Sequence, residues 1–351
     1  MTYWEERQQR YLDLKAAGMA EAEVTEEELR EYFEKAIHHC ERTIQAWYER
    51  YASENGISYA DAQKVLDARE LHAFKMDLKE YTRLARREGL SDEYVKMLDQ
   101  ASIRARLTKI QALYIELMQY VEEVSKRLNV DLSDLLNKVY ESTYYKTAYE
   151  TQKTMGAFSS FNAISRETIE KAVSRPWAPD GKDFSERIWN DRQALANTLR
   201  TQITQSLLMQ EGSTPMIERV SKRFNVTFNN AKRLVETETA YVQESAFKSS
   251  LQNLGIKKYK LLAVLDSRTS DICRELDGHV YDLAKAEPGL TMPPFHCYCR
   301  TTMVPYIRGI TDEAGTTRMA RDDVTNKSYR VNGNMTYSEW RKSMVQQGSN
   351  K

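Results

Sequence analysis

Leu265-Asp-Ser-Arg-Thr-Ser-Asp-Ile-Cys273, Leu276-Asp-Gly278 and Pro293-Pro-Phe-His-Cys-Tyr-Cys-Arg300 carry the most information in this 351-residue chain. From Cys273 to Cys299 the chain places three of its four cysteines and two of its five histidines. Cysteine and histidine are soft-metal ligands, and His296 and Cys299, with two residues between them, have a spacing common to one half of a tetrahedral site. Pro293 and Pro294 favour an extended, preset backbone that limits the entropy lost on ordering the ligands. Cys273, His296 and Cys299 are the candidate zinc ligands, with Cys297, His279 or Asp271 as a fourth. Adjacent residues in an extended chain point apart, so His296 and Cys297 can share an ion only across a sharp bend. Two other readings stay open: buried apolar cysteines with a histidine bonded to backbone, and a disulfide formed after lysis.

Upstream of this loop, Lys258-Tyr-Lys-Leu-Leu-Ala-Val-Leu265 is apolar and partly β-branched, as a short strand requires. His279–Tyr281 and Thr301–Val304 are candidates to pair with it, and Asp277-Gly278 fits a tight turn. The run Asp266–Asp271 is read as a turn bonding its own backbone, with Arg300 available to pair with one of its aspartates. The expected product is a small antiparallel sheet beside helices, closed by the Cys/His loop.

Every proline lies at or beyond Pro176, so the first half has no strong helix breaker. Leu107, Ile110, Leu113, Leu117, Val121, Val124 and Leu128 follow at steps of three or four, the core stripe of a helix. The Thr25–Glu28 spacing predicts a helix start there, and a break is expected around Asn129–Asp131. Ser174-Arg-Pro-Trp-Ala-Pro-Asp-Gly181 cannot continue a helix and marks the best boundary. Phe184, Ile188, Leu195, Leu199, Ile203 and Leu207 then resume helical spacing, and Ser213 or Thr214 caps a further helix with Pro215 in its first turn. Tyr337, Trp340 and Met344 fall on one side of a short helix in an otherwise polar tail.

The fold class is therefore mainly α with a smaller α+β domain. Residues 1–173 form a helical N-terminal region, 174–307 helices packed on the small sheet with its Cys/His loop, and 308–351 the polar tail. Lys and Arg number 51, as do Asp and Glu, so no global field draws the chain to nucleic acid or an anionic membrane. Residues 201–260 do hold 9 basic against 5 acidic side chains, with Lys257, Lys258 and Lys260 together, which allows non-specific contact with DNA phosphates. No apolar run approaches the roughly eighteen residues of a membrane span, Met1-Thr-Tyr-Trp-Glu-Glu is not the start of a signal peptide, and four cysteines in a chain of this length indicate a reducing compartment. No Walker loop, nucleotide-binding glycine triplet or Gly-x-Ser-x-Gly elbow occurs.

The Asp-x-Arg-Thr-Ser-x-x-Cys, Leu-Asp-Gly and Pro-Pro-x-His-x-x-Cys-Arg blocks resemble the signature of the phage head-morphogenesis domain named after the F protein of phage Mu. Lys182–Trp189 and Leu234–Thr239 are similar to blocks in minor head proteins of phages of Gram-positive bacteria. The resemblance covers residues 160 to 307 strongly and the first half more loosely. The chain departs from it at Ser270, where many members have cysteine, at Cys297, where many have proline, and at Glu236, where arginine is common. The resemblance implies a non-catalytic minor capsid protein that acts in procapsid assembly near the portal and in DNA packaging or ejection. Its partners would be the portal and inner capsid, its place the capsid interior and, during assembly, the host cytoplasm. The alternatives are a metal-dependent hydrolase or nuclease built on the Cys/His cluster, and the delivery module of a phage-derived polymorphic toxin.

Overall fold

A computed structural model describes residues 3–54, 109–208, 213–308, 317–321 and 328–332, with Met335 and Glu339. Its helices are α1 (Tyr3–Glu54), α2 (Lys109–Met155), α3 (Arg166–Val173), α4 (Phe184–Leu208), α5 (Ser213–Asn253) and the short α6 (Asp271–Leu276). The strands are β1 (Lys258–Leu262), β2 (Val280–Asp282), β3 (Thr302–Tyr306), β4 (Thr317–Arg321) and β5 (Ser328–Asn332). Mainly helical structure with a small antiparallel sheet is the fold class expected from the pattern.

The chain forms two compact units, one of residues 1–25, 133–184 and 233–351, the other of residues 26–132 and 185–232. The second unit, as far as it is described, is all helical. Its core is the predicted stripe Leu113, Leu117, Val121, Val124 and Leu128 of α2, with Ile188, Leu195, Leu199 and Ile203 of α4, all buried. Phe33 meets Phe228 edge to face at 5.4 Å, and Trp47 meets Tyr48 in the same way at 5.1 Å. Such pairs add to the gain from area alone, since ring edges and faces carry opposite partial charge. One buried ion pair interrupts the apolar packing: Arg192 Nε donates to Glu122 Oε1 at 2.6 Å, with both side chains almost fully enclosed.

Two helix boundaries expected from sequence are absent. α1 runs unbroken through Thr25, whose hydroxyl donates to the Glu21 carbonyl one turn back instead of capping a new helix. α2 likewise continues through Asn129–Asp131, where Asp131 pairs with Arg127 at 2.8 Å. A capping residue is only an option, and continued hydrogen bonding with a buried face on both sides outweighs it.

In the first unit α1 and α5 approach closely at Gly18. A Cβ there would lie 2.0 Å from Gln243 Nε2, which donates to the carbonyls of Leu14 and Lys15 at 3.1 and 3.2 Å. Lys15 reaches Glu244 Oε1 at 3.0 Å and the Ala240 carbonyl at 3.2 Å. The Ser174–Gly181 segment packs back on α5: Trp177 stacks on Tyr241 at 4.9 Å and donates its indole N–H to buried Glu238. Of the Glu236–Thr239 block, Glu238 thus has a structural pairing.

The sheet has the order β2-β1-β3, antiparallel throughout. Lys258–Leu262 pairs with Tyr306–Thr302 on one side, and its first three residues with Asp282–Val280 on the other. These are the pairings expected from the apolar runs. Within the polar tail, β4 and β5 form a hairpin that the composition did not announce. It joins the rest of its unit where Ala320 bridges Leu265, with Tyr329, Val331 and Met335 packed around them. The proposed helix with Tyr337, Trp340 and Met344 lies outside the described residues. Among the described residues no helix is long and apolar enough to cross a membrane.

Candidate metal centre

β1 delivers the chain through buried Ala263 and Leu265 to the turn that starts at Asp266. The Asp266 carboxylate accepts the Arg268 N–H at 3.1 Å and both arms of the Arg300 guanidinium at 2.5 and 2.6 Å, so the loop after His296 is tied to the loop before Cys273. Burial alone would raise the Asp266 carboxyl, but hydrogen bonding and charge from Arg300, with help from Thr269, hold it below the usual carboxylate value. Ser270, extended at φ −66° and ψ 157°, then caps α6 by accepting from the Cys273 N–H. Beyond the far end of α6, Asp277 accepts the Ala263 N–H at 2.9 Å. A six-residue helix has little stability of its own; these polar ties set the direction of Cys273.

On the other side, Pro293–Pro294, joined by a cis bond, leads to His296-Cys-Tyr-Cys299. Tyr298 takes a positive φ of 61°, and this turn brings Cys299 back beside His296. Cys273 Sγ lies 3.2 Å from His296 Nε2 and 3.7 Å from Cys299 Sγ. The three ligand atoms are within 4.8 Å of one another. Both thiols are buried, packed by Ala263 and Phe295.

Two thiols and an imidazole make a soft donor set, suited to zinc or another thiophilic ion and poorly suited to magnesium or calcium. The spacing agrees with that chemistry. With Zn–S near 2.3 Å and Zn–N near 2.0 Å, a tetrahedron separates two sulfurs by about 3.8 Å and sulfur from nitrogen by about 3.5 Å. His296 Nδ1 lies 2.7 Å from the Cys297 carbonyl. A neutral ring donates there and turns an unprotonated Nε2 to the cluster, the usual outer-shell support of a ligand histidine.

Charge in the cluster is unevenly distributed. Hydrogen bonding from Cys273, then from His296 and the Phe295 backbone, lowers the Cys299 thiol far below its ordinary value, with a smaller contribution from the Lys15 ammonium. The same contact to Cys299, with burial, raises Cys273. Hydrogen bonding to Cys299 and to the Cys297 carbonyl raises His296 against the opposing effect of burial. One readily formed thiolate beside an imidazole can capture a cation. Below the cluster, Glu244 is fully enclosed; burial raises its carboxyl, while Lys15, the Met303 N–H at 3.0 Å and Thr302 act in the opposite direction.

Cys273, His296 and Cys299 come together, and the other candidates stand elsewhere. The Cys297 thiol is exposed, and the residue contributes its carbonyl. His279 stacks on Tyr281 at 6.3 Å, and Asp271, largely exposed, pairs with Arg274. Sequence reasoning noted Ser270 only as a departure from the resemblance and not as a candidate ligand; its Oγ is 2.8 Å from His296 Nε2. Its signal was available: it precedes Cys273 by three residues and begins a helix.

Residues 197–304 match the family described as Phage Mu protein F like protein. The match takes in the second half of α4, α5, β1, β2, the start of β3 and the whole Cys/His loop. The chain is 25% identical over 270 residues to the minor head protein GP7 of Bacillus phage SPP1, covering 70% of this chain and 85% of that protein. Residues 197–304 thus match the Mu F-like family, and most of the chain is similar to a phage minor head protein. It is also 23% identical over 264 residues to the NAD(+)--arginine ADP-ribosyltransferase EFV of Enterococcus faecalis, covering 71% of this chain but only 52% of that protein. No solved structure matches the chain.

Proposed function

We propose that this protein is a non-catalytic component of a tailed-phage head, built into the procapsid near the portal and acting in DNA packaging or ejection. The observation that carries the reading is the likeness to the SPP1 minor head protein over most of both chains. In this reading residues 1–173 meet the portal or inner capsid, 174–307 form the head-morphogenesis domain, and 308–351 are the polar tail. Lys257, Lys258 and Lys260 touch packaged DNA through phosphates, so binding weakens as salt rises and shows no base preference. Procapsids and virions should contain the protein in few copies relative to the major capsid protein, and it should be captured by the portal of the same genome. Its absence from particles at every stage of assembly would sink the proposal.

The Cys/His loop holds one zinc ion through Cys273, His296 and Cys299. The ion closes a loop poor in apolar residues, and its binding energy becomes folding energy. Protein purified without chelator should carry about one metal equivalent, and Cys299→Ser should lose it.

A second reading follows from the Enterococcus relative: the shared half is a delivery module, and in that protein it accompanies an enzyme. Incubating this chain with labelled NAD and arginine-rich acceptor proteins separates the readings. Transfer of label would overturn the non-catalytic one.

A further inference from the structure

A tetrahedral ion needs four donors, and Cys273, His296 and Cys299 supply three. We infer that the hydroxyl of Ser270 is the fourth ligand, giving the centre an oxygen corner. This rests on the zinc reading above and adds what fills the remaining position.

Geometry carries the inference. Ser270 Oγ lies 2.8 Å from His296 Nε2, the atom that faces the cluster. Nitrogen and oxygen ligands of one tetrahedral ion are separated by about 3.3 Å, so about half an ångström of opening turns this hydrogen bond into shared coordination. Ser270 is also held in place: it is the N-cap of α6, three residues before Cys273, and its hydroxyl and the thiol meet the same imidazole nitrogen. The carboxylates, imidazole and thiol offered by the sequence as alternatives are committed elsewhere. Asp266 is fully buried and engaged by Arg300, Arg268 and Thr269; Asp271 pairs with Arg274; His279 packs on Tyr281; and the Cys297 thiol is exposed.

Charge supports the same assignment. Two thiolates, a neutral imidazole and a neutral hydroxyl around a divalent ion sum to zero, the value a buried site favours. A third thiolate would leave a net negative centre. A hydroxyl is also a weaker zinc ligand than a thiolate, so this centre exchanges its metal more readily than one closed by four sulfur and nitrogen donors.

The test uses the full chain and its Ser270→Ala, Ser270→Cys and Ser270→Thr variants, with far-UV circular dichroism to confirm folding. Zinc affinity is measured by competition with a chromophoric chelator, and cobalt(II) is the spectroscopic probe. Ser270→Ala should bind zinc about tenfold more weakly or worse, and Ser270→Thr, which keeps both cap and hydroxyl, should stay near the wild type. In Ser270→Cys the thiolate-to-cobalt charge-transfer band should grow by about half, as three thiolates replace two. If Ser270→Ala keeps wild-type affinity and cobalt spectrum, the corner belongs to water and the Ser270 assignment is overturned while the zinc site stands. If the wild type takes up neither ion, the zinc reading itself falls, and this inference with it.

Discussion

The helical unit of residues 26–132 and 185–232 and the sheet-bearing unit obtain their order by different means. In the first, long helices present apolar stripes several turns long, and aromatic pairs such as Phe33–Phe228 fill the space between them. In the second, strands of three to five residues and a six-residue helix are too short to order themselves. They are held by particular polar ties: Asp266 to Arg300, Asp277 to Ala263, Glu244 to Met303, and the thiol–imidazole cluster. A helical stripe spreads stability over many replaceable contacts, whereas a tied loop concentrates it in a few side chains. The contrast predicts where single changes will act.

The largest effect is expected at the buried Glu122–Arg192 ion pair, which breaks the pattern of the helical unit. Glu122→Ala leaves the Arg192 guanidinium enclosed without its partner and should cost about 3–5 kcal/mol by denaturant unfolding. The paired change Glu122→Leu with Arg192→Met should recover most of that loss, since apolar side chains of similar volume suit the site. A double variant as unstable as the single one would show that this unit too depends on specific polar ties.

Metal removal comes next and should separate the units. With free zinc 100-fold above its dissociation constant, bound ion contributes about 2.7 kcal/mol. Excess chelator should therefore raise hydrogen exchange in residues 263–300 and leave the buried stripes of α2 and α4 protected. Equal exchange in both units would erase the contrast.

Gly18→Ala tests the helix crossing in the sheet-bearing unit. The new methyl would meet Gln243 Nε2 and Cδ, so Gln243 must give up its bonds to Leu14 and Lys15 or α1 must shift. A loss of about 1–3 kcal/mol is expected, read as a lower melting temperature. Gly18→Ala with Gln243→Ala should relieve the clash in part.

The smallest effect concerns pH. The folded Asp266 carboxyl sits below its unfolded value, so its contribution is present above the ordinary carboxylate pKa near 4 and is lost as pH falls through the lower folded one. Because Arg300 is about a third exposed, screening limits the contribution to about 1 kcal/mol. Asp266→Asn should flatten the acid limb of the stability profile by that amount and leave neutral stability lower. An unchanged acid limb would mean that the pair is spectator to folding.

Much of this was legible in the residues. The α2 and α4 stripes, the helix break at Ser174–Gly181, the three paired strands and the bond from Arg300 to an aspartate follow from period, proline placement and charge. The trio Cys273, His296 and Cys299 was legible as well, because few residue types suit a soft ion and the chain concentrates them. The misplaced helix ends at Thr25 and at Asn129–Asp131 have one cause. Local capping signals describe what a backbone can do alone, while a helix continues wherever both of its turns have a core to cover. The β4–β5 hairpin escaped for a related reason: its residues are polar, and what gives it a place is Ala320 beside Leu265.

Sequence alone determined the elements whose signal lies within a few turns of chain, together with the chemical character of the loop, since side-chain period and donor type need no distant partner. Tertiary structure decided what depends on meeting across long separations. It placed Lys15 beside Glu244, Gln243 against Gly18, and Ser270 rather than Cys297 beside the Cys/His cluster. Burial and direction decide those outcomes, and a side chain acquires both only when chain segments far apart in sequence close around it.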